Sequence, residues 1–359
     1  MKADEQLFCS KPFTWFEVSR GEREGEVYLC CPAWLPKSAG NLLDHDVAEI
    51  WNGPIAADIR RSILDQSFKY CNGKLCPYLQ THSGPVQRVS DVTDAKLRMA
   101  IEDGLTIVPW GPRDINCSHD RSCNLSCPTC RVQLIMETKN RERILAIQNK
   151  LNDQALHDAE LLYITGSGDP FGSPYFRKWL QTMKPSDMPN MKKIHLHTNG
   201  LLWTPRVWET IAPEIRAFVK LADISIDAAT AETYAINRRG GEFSRLLENL
   251  EFISGELRPN GPLEWLGINM VVQENNFREM RQFVELGKRF GVDTVYFHKL
   301  VNWGTFSDRE YAHRAVHEAS HPCHPDLVNT LLDPVFDDPI VYLGNLTDTR
   351  STPAGSAGW

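Results

Sequence analysis

Cys123-Asn124-Leu125-Ser126-Cys127-Pro128-Thr129-Cys130 places three cysteines at Cys-x-x-x-Cys-x-x-Cys spacing within eight consecutive residues. A short β-rich run, 115–119, precedes it, so the motif is read as the loop after a strand. Three thiolates on one tight loop can hold three corners of a cubane iron–sulfur cluster and leave one iron open, whereas fully ligated clusters generally use four. Structural zinc and buried free cysteines are the competing readings, and Cys-x-x-Cys alone would not separate them. The third cysteine, and the position after the first strand of a series, favour the cluster.

Downstream of the motif the chain alternates β-rich runs with longer amphipathic stretches, the pattern of successive βα units on a parallel sheet. Strands are expected at 115–119, 161–165, 193–198, 222–227, 266–272 and 294–298, and helices at 141–152, 205–211, 245–253 and 277–290. Six such units predict an α/β fold closed as a partial (β/α)6 barrel rather than the eight-fold form. The stretch 351–359 reads as a mobile tail.

Upstream, Cys9, Cys30, Cys31, Cys71 and Cys76 form a second group, separated from the motif by a loop-like stretch at 81–85, an expected helix at 91–102 and turn signals at Pro109 and Gly111-Pro112. The expected division is a cysteine module at 1–85, a linker with a helix at 86–112, a barrel at 113–305 and an extension at 306–359. Four ligands complete one cluster, and the economical set is Cys9, Cys30, Cys71 and Cys76. Cys31 is the alternative to Cys30, because neighbours on a strand face opposite ways. Four-cysteine zinc remains the competing reading for this group. Cys117 and Cys323 read as small buried hydrophobes.

The chain has 359 residues, a formal net charge of −7 and ten cysteines. The acidic balance argues against nucleic-acid binding through phosphate neutralisation. No apolar run approaches the ~18–20 residues of a membrane span. The polar, acidic start, Met1-Lys2-Ala3-Asp4-Glu5-Gln6, lacks the pattern of a secretion signal, so a cytoplasmic protein is expected, and there cysteines more often ligate metal than pair.

Over roughly 115–301 the sequence resembles the radical S-adenosylmethionine (SAM) superfamily, and the N-terminal cysteine group looks like its SPASM or twitch extension, which binds auxiliary clusters. Most relatives carry that extension after the barrel; here it comes first. The resemblance implies a catalytic [4Fe–4S] cluster on Cys123, Cys127 and Cys130, SAM, and one auxiliary [4Fe–4S] cluster. It implies SAM contacts from Gly166, Ser167, Gly168 and Asp169, from Ser225 and Asp227, from Arg238, and from Asn269. His197-Thr198-Asn199-Gly200 looks like the Thr-Asn-Gly turn of many relatives. Relatives usually carry an aromatic residue just before the third cysteine, where this chain has Thr129.

The implied reaction is reductive cleavage of SAM and hydrogen abstraction from an unactivated C–H bond, with an external one-electron donor such as flavodoxin or ferredoxin. The two cysteine groups favour net oxidation, by dehydrogenation or bond formation, and the resemblance to relatives with such extensions implies a peptide as substrate. Dehydrogenation or epimerisation of a small sugar-like or other polar metabolite is the alternative, and a non-catalytic zinc or electron-transfer protein is the alternative of another class. Lys299, His298 and Trp303 are candidate substrate contacts, since barrel chemistry sits at strand C-termini.

Overall fold

The computed structural model describes residues 6–19, 23–164 and 166–350; the expected tail at 351–359 lies outside the described residues. The chain is a mixed α/β protein whose contacts divide it into two compact units. One comprises the chain up to Arg121 with 137–167 and 178–194, and the other comprises 122–136, 168–177 and the chain from His195 onward. These units group the chain differently from the segments expected at 1–85 and 113–305, because a strand of the first segment pairs with a strand of the third.

In the first unit β1 (Leu7–Cys9), β2 (Trp15–Ser19), β3 (Glu26–Tyr28), β4 (Gly40–Asn41), β5 (Val86–Arg88), β6 (Asp114–Ser118) and β7 (Leu161–Ile164) make two sheets. β1 pairs antiparallel with β5. The other sheet runs β7-β6-β2-β3-β4, with β6 parallel to both β7 and β2. Alternation decides its faces. Phe16, Val18, Ile115, Cys117, Leu162 and Ile164 are fully buried on one side. Trp15, Glu17, Asp114, Asn116 and Tyr163 share the other.

Arg60, on the helix Pro54–Leu64, is completely buried in this unit. It donates from Nε to the Pro12 carbonyl at 2.9 Å and from Nη1 to Asn52 Oδ1 and the Thr106 carbonyl, both at 3.0 Å. Its guanidinium also lies 4.4 Å from the Trp51 ring centroid. A buried cation is tolerated only when so partnered, and here it pins the short helix Lys11–Thr14 to the rest of the unit.

The second unit contains most of β8 (Lys193–Thr198), then β9 (Val219–Ser225), β10 (Trp265–Val272), β11 (Thr294–Lys299) and β12 (Val341–Tyr342), ordered as numbered. β9, β10, β11 and β12 pair in parallel. Leu196, Ala222, Ile224, Ile268, Met270, Val295 and Phe297 form its apolar face. The helix Met280–Arg289 covers that face through Phe283 and Val284. Gly287 allows the close approach: a Cβ there would collide with Val295 and press on Val292.

The expected strands recur with shifts of at most three residues at an end, apart from Thr165, which is not described. β1 to β5 and β12 are additional to the expected strands. Among the described residues no helix is long and apolar enough to cross a membrane.

Candidate metal centres

The three-cysteine loop belongs to the second unit. Cys123 and Cys127 are buried and Cys130 is exposed. Each sulfur has a nitrogen donor near it. Cys123 Sγ meets the Leu125 backbone N–H at 3.4 Å and Asn199 Nδ2 at 3.6 Å. Arg238 Nη1 lies 3.8 Å from Cys127 Sγ, and Arg131 Nη2 lies 3.3 Å from Cys130 Sγ. Such donors stabilise thiolates. In the free chain burial pushes the Cys123 thiol up to about 12, so loading a metal there must expel its proton.

The loop is clamped from outside by Arg239, whose guanidinium donates to the Ser126 carbonyl at 3.1 and 2.9 Å and to the Val132 carbonyl at 3.3 Å. Inside, Asp169 fixes the approach to Thr198 and Asn199. Its Oδ1 accepts the backbone N–H groups of Phe171 (3.0 Å) and Gly172 (2.8 Å), and its Oδ2 accepts Thr198 Oγ1–H (2.7 Å) and the Asn199 N–H (2.8 Å). Four donors fill the usual capacity of a carboxylate. Gly172 is required here, because a Cβ would fall 2.7 Å from Asn124 Oδ1.

Asp227 is fully buried and sits at φ 60°, a left-handed conformation that Asp tolerates better than most residues. Its Oδ2 lies 2.9 Å from Arg238 Nη2, and its Oδ1 accepts the Val271 N–H at 2.7 Å. Burial pushes the Asp227 carboxyl up and the Arg238 guanidinium opposes that. Arg238 is thus shared between Asp227 and Cys127, which places the bend after β9 against the cysteine loop. Ser225 Oγ is 2.7 Å from His197 Nε2. Asn269 is buried on β10, and its carbonyl accepts the Ile226 N–H at 3.1 Å.

Gly168 and Asp169 belong to this unit, while Gly166 and Ser167 belong to the first. Gly166 has φ 98°, and Ser167 Oγ donates to the Ser118 carbonyl at 2.6 Å. Along the polar face of the second unit, His195 Nε2 is 3.0 Å from Asp223 Oδ2, and burial pushes His298 down to about 3. Lys299 faces elsewhere and pairs with Asp348 at 2.7 Å. Trp303 is exposed.

In the first unit Cys9, Cys30, Cys71 and Cys76 line one cavity with Lys11, Pro12, Trp34, Phe68, Tyr78 and neighbouring apolar residues. β1 ends at Cys9, Cys30 follows β3, and Cys76 leads into the helix Pro77–Thr81. Cys31 does not line the cavity; its thiol is raised to about 11, by burial first and then by Glu17. Burial likewise raises Cys9 to about 12 and Cys71 to about 11.

Among the described residues, no group of three or more His, Cys, Asp or Glu side chains is arranged around a single metal ion. Four thiols spread around a cavity, mostly apolar in its other walls, suit a four-iron cubane with one ligand per iron. Three on the exposed-edged loop suit a cubane with one iron open.

Sequence reading passed over Asn199 as a turn residue and did not weigh Arg131, Arg239 or Lys11. Asn199 was already present in the Asn-Gly turn, and Arg131 directly follows the last cysteine of the motif. Nothing in the pattern around Arg239 or Lys11 marks them; folding brings Arg239 to the carbonyls of the cysteine loop and turns Lys11 into the cavity wall.

Residues 9–77 match the SPASM family, described as an iron–sulfur cluster-binding domain. No curated protein matches. Among solved structures, anSMEcpe with bound AdoMet and the Cp18Cys peptide is similar at 18% identity, over 61% of this chain and 56% of that one, with a TM-score of 0.42. SuiB of Streptococcus suis bound to the precursor peptide SuiA is similar at 14% identity, over 82% of this chain and 62% of that one, with a TM-score of 0.38. TYW1 with a lysine–pyruvate adduct is similar at 16% identity, over 74% of this chain and 82% of that one, with a TM-score of 0.39. The chain thus spans under two-thirds of the length of anSMEcpe and of the peptide-bound SuiB. At these identities and TM-scores the likenesses carry no residue assignment.

Proposed function

We propose that this chain is a radical SAM oxidoreductase with an auxiliary four-iron cluster, acting on a peptide with net oxidation or bond formation. The observation that carries the reading is the convergence on the three-cysteine loop. Asn199, Arg131 and Arg238 each place a nitrogen within 3.3–3.8 Å of a different cysteine sulfur. The last of these is held in turn by buried Asp227. A buried ion pair costs desolvation that a hydrophobic pair avoids, so its presence beside the loop is better explained by chemistry than by stability.

When bound, the loop cluster supplies one electron that splits SAM into methionine and a 5′-deoxyadenosyl radical able to take hydrogen from an unactivated C–H bond. The chain's own groups position and shield. Cys123, Cys127 and Cys130 hold three corners; Asp169 ties Gly172 to Asn199, fixing the wall beside Cys123; Arg238 offers a cation for the SAM carboxylate. Gly168, Ser225 and Asn269 complete the SAM contacts proposed within the second unit. The SPASM match over 9–77 supports the second cluster, held by Cys9, Cys30, Cys71 and Cys76. An external electron donor and a cytoplasmic setting belong to the same reading.

A second substrate class, a small polar metabolite, is favoured by the polar face of β8, β9 and β11, where His195, His197, Asp223 and His298 cluster. The test of the enzyme class is formation of 5′-deoxyadenosine from SAM with dithionite under anaerobic conditions. The reading expects it from the wild type and not from the Cys123/Cys127/Cys130→Ala variant. No SAM cleavage by a wild type loaded with iron and sulfide would contradict it.

A further inference from the structure

Among the described residues Lys11 is the one cationic side chain lining the four-cysteine cavity. The other walls are thiols, aromatic rings and aliphatic groups, surroundings in which an ammonium is costly unless negative charge faces it. Lys11 cannot readily swing away. It opens the helical turn Lys11–Thr14, whose Pro12 carbonyl is held by buried Arg60. Its Nζ also lies 3.2 Å from the Trp15 ring centroid, a cation–π contact. Burial pulls the pKa of Lys11 down, and the ionisable groups that oppose this are Asp114 and Glu17 on the adjoining strands and the thiols of Cys9 and Cys30.

We infer that Lys11 tunes the auxiliary cluster, raising its reduction potential so that it accepts an electron more readily. This rests on the cluster reading above. A four-iron cluster on four thiolates carries net charge −2 when oxidised and −3 once it takes one electron, so a fixed cation at the cavity wall stabilises the reduced state more. Lys11 acts on the cluster electrostatically and ligates nothing.

The test uses the full chain with Cys123, Cys127 and Cys130 replaced by Ala, so that only the auxiliary site can load, followed by Lys11→Met, Lys11→Gln and Lys11→Arg in that background. Iron is counted after anaerobic reconstitution, and the midpoint is read by potentiometric titration with dithionite, monitored by electron paramagnetic resonance. Both neutral variants should shift the midpoint to more negative potential, and Lys11→Arg should stay near the parent. Equal midpoints in all four proteins overturn the inference, leaving Lys11 as a partner of Glu17 and Asp114 alone. Loss of iron from both neutral variants but not from Lys11→Arg also overturns it, since Lys11 would then assemble the site rather than tune it. A parent that binds no iron contradicts the auxiliary-cluster reading itself.

Discussion

The two cysteine sites are built in opposite ways. The loop site draws its three thiols from eight consecutive residues and gathers nitrogen partners from far along the chain, Asn199 just after a strand and Arg238 at the end of the helix Ala231–Asn237. The cavity site draws its four thiols from segments as distant as Cys9 and Cys76, and most of its wall is apolar. Proximity in sequence makes the loop ligands easy to bring together, so folding is spent on tuning and orienting them. At the cavity site folding itself must assemble the ligands. The loop site is therefore expected to fail through loss of its charge partners, and the cavity site through loss of its scaffold.

The largest effect expected is at Arg238. Arg238→Met leaves the buried Asp227 carboxylate without its partner, and breaking a buried pair in this way costs about 3–5 kcal/mol. Urea unfolding should register that loss, and iron should fall at the loop site while four irons, about one cluster, remain at the cavity. Equal loss at both sites would break the comparison.

Arg60→Met runs the other way. It strands the Pro12 and Thr106 carbonyls and should cost about 2–3 kcal/mol, with iron lost first from the cavity site. The variant is read by the same unfolding and iron measurements.

Acid sharpens the contrast further. His119, in the first unit, is pushed down to about 3 by burial. The unfolded state therefore takes up a proton below about pH 6.5 that the folded state refuses. Stability is full above that value and declines as pH falls towards 3, by up to about 1.4 kcal/mol per pH unit. His119→Gln should flatten the pH profile between about 6 and 4; an unchanged slope would contradict a neutral buried imidazole.

The smallest effect is at Asn199. Asn199→Ala removes the N–H beside Cys123 Sγ and the bond to Asn124 Oδ1 at 2.9 Å. It should cost about 1 kcal/mol and shift the loop cluster, not the auxiliary one, to more negative potential, because hydrogen bonds to cluster sulfurs help set it. Potentiometric titration of both clusters in one sample checks this.

The same contrast governs what could be read from sequence. The βα alternation located six strands because their apolar faces repeat with period two, as at Ala222 and Ile224 or at Ile268 and Met270. The cysteine motif stood out because its spacing is local. Trp15-Phe16-Glu17-Val18-Ser19 alternates as clearly, yet the cysteines around it drew the segment into a separate module, and its parallel pairing with β6 depends on contacts a hundred residues away. Cys30 and Cys31 could not be separated by spacing; the fold turns Cys30 into the cavity and leaves Cys31 with Glu17. Lys11 and Arg239 carried no signal, since a lysine or arginine on a turn is ordinarily solvated.

The measurement that tests the account most directly is an iron count paired with a SAM-cleavage assay on three anaerobically reconstituted proteins: wild type, the Cys123/Cys127/Cys130→Ala variant and a Cys71/Cys76→Ala variant. The account predicts about eight irons in the wild type and about four in each variant, with 5′-deoxyadenosine formed by the wild type and the Cys71/Cys76→Ala protein only. Zinc in place of iron at the loop, or 5′-deoxyadenosine that survives loss of Cys123, Cys127 and Cys130, would contradict it.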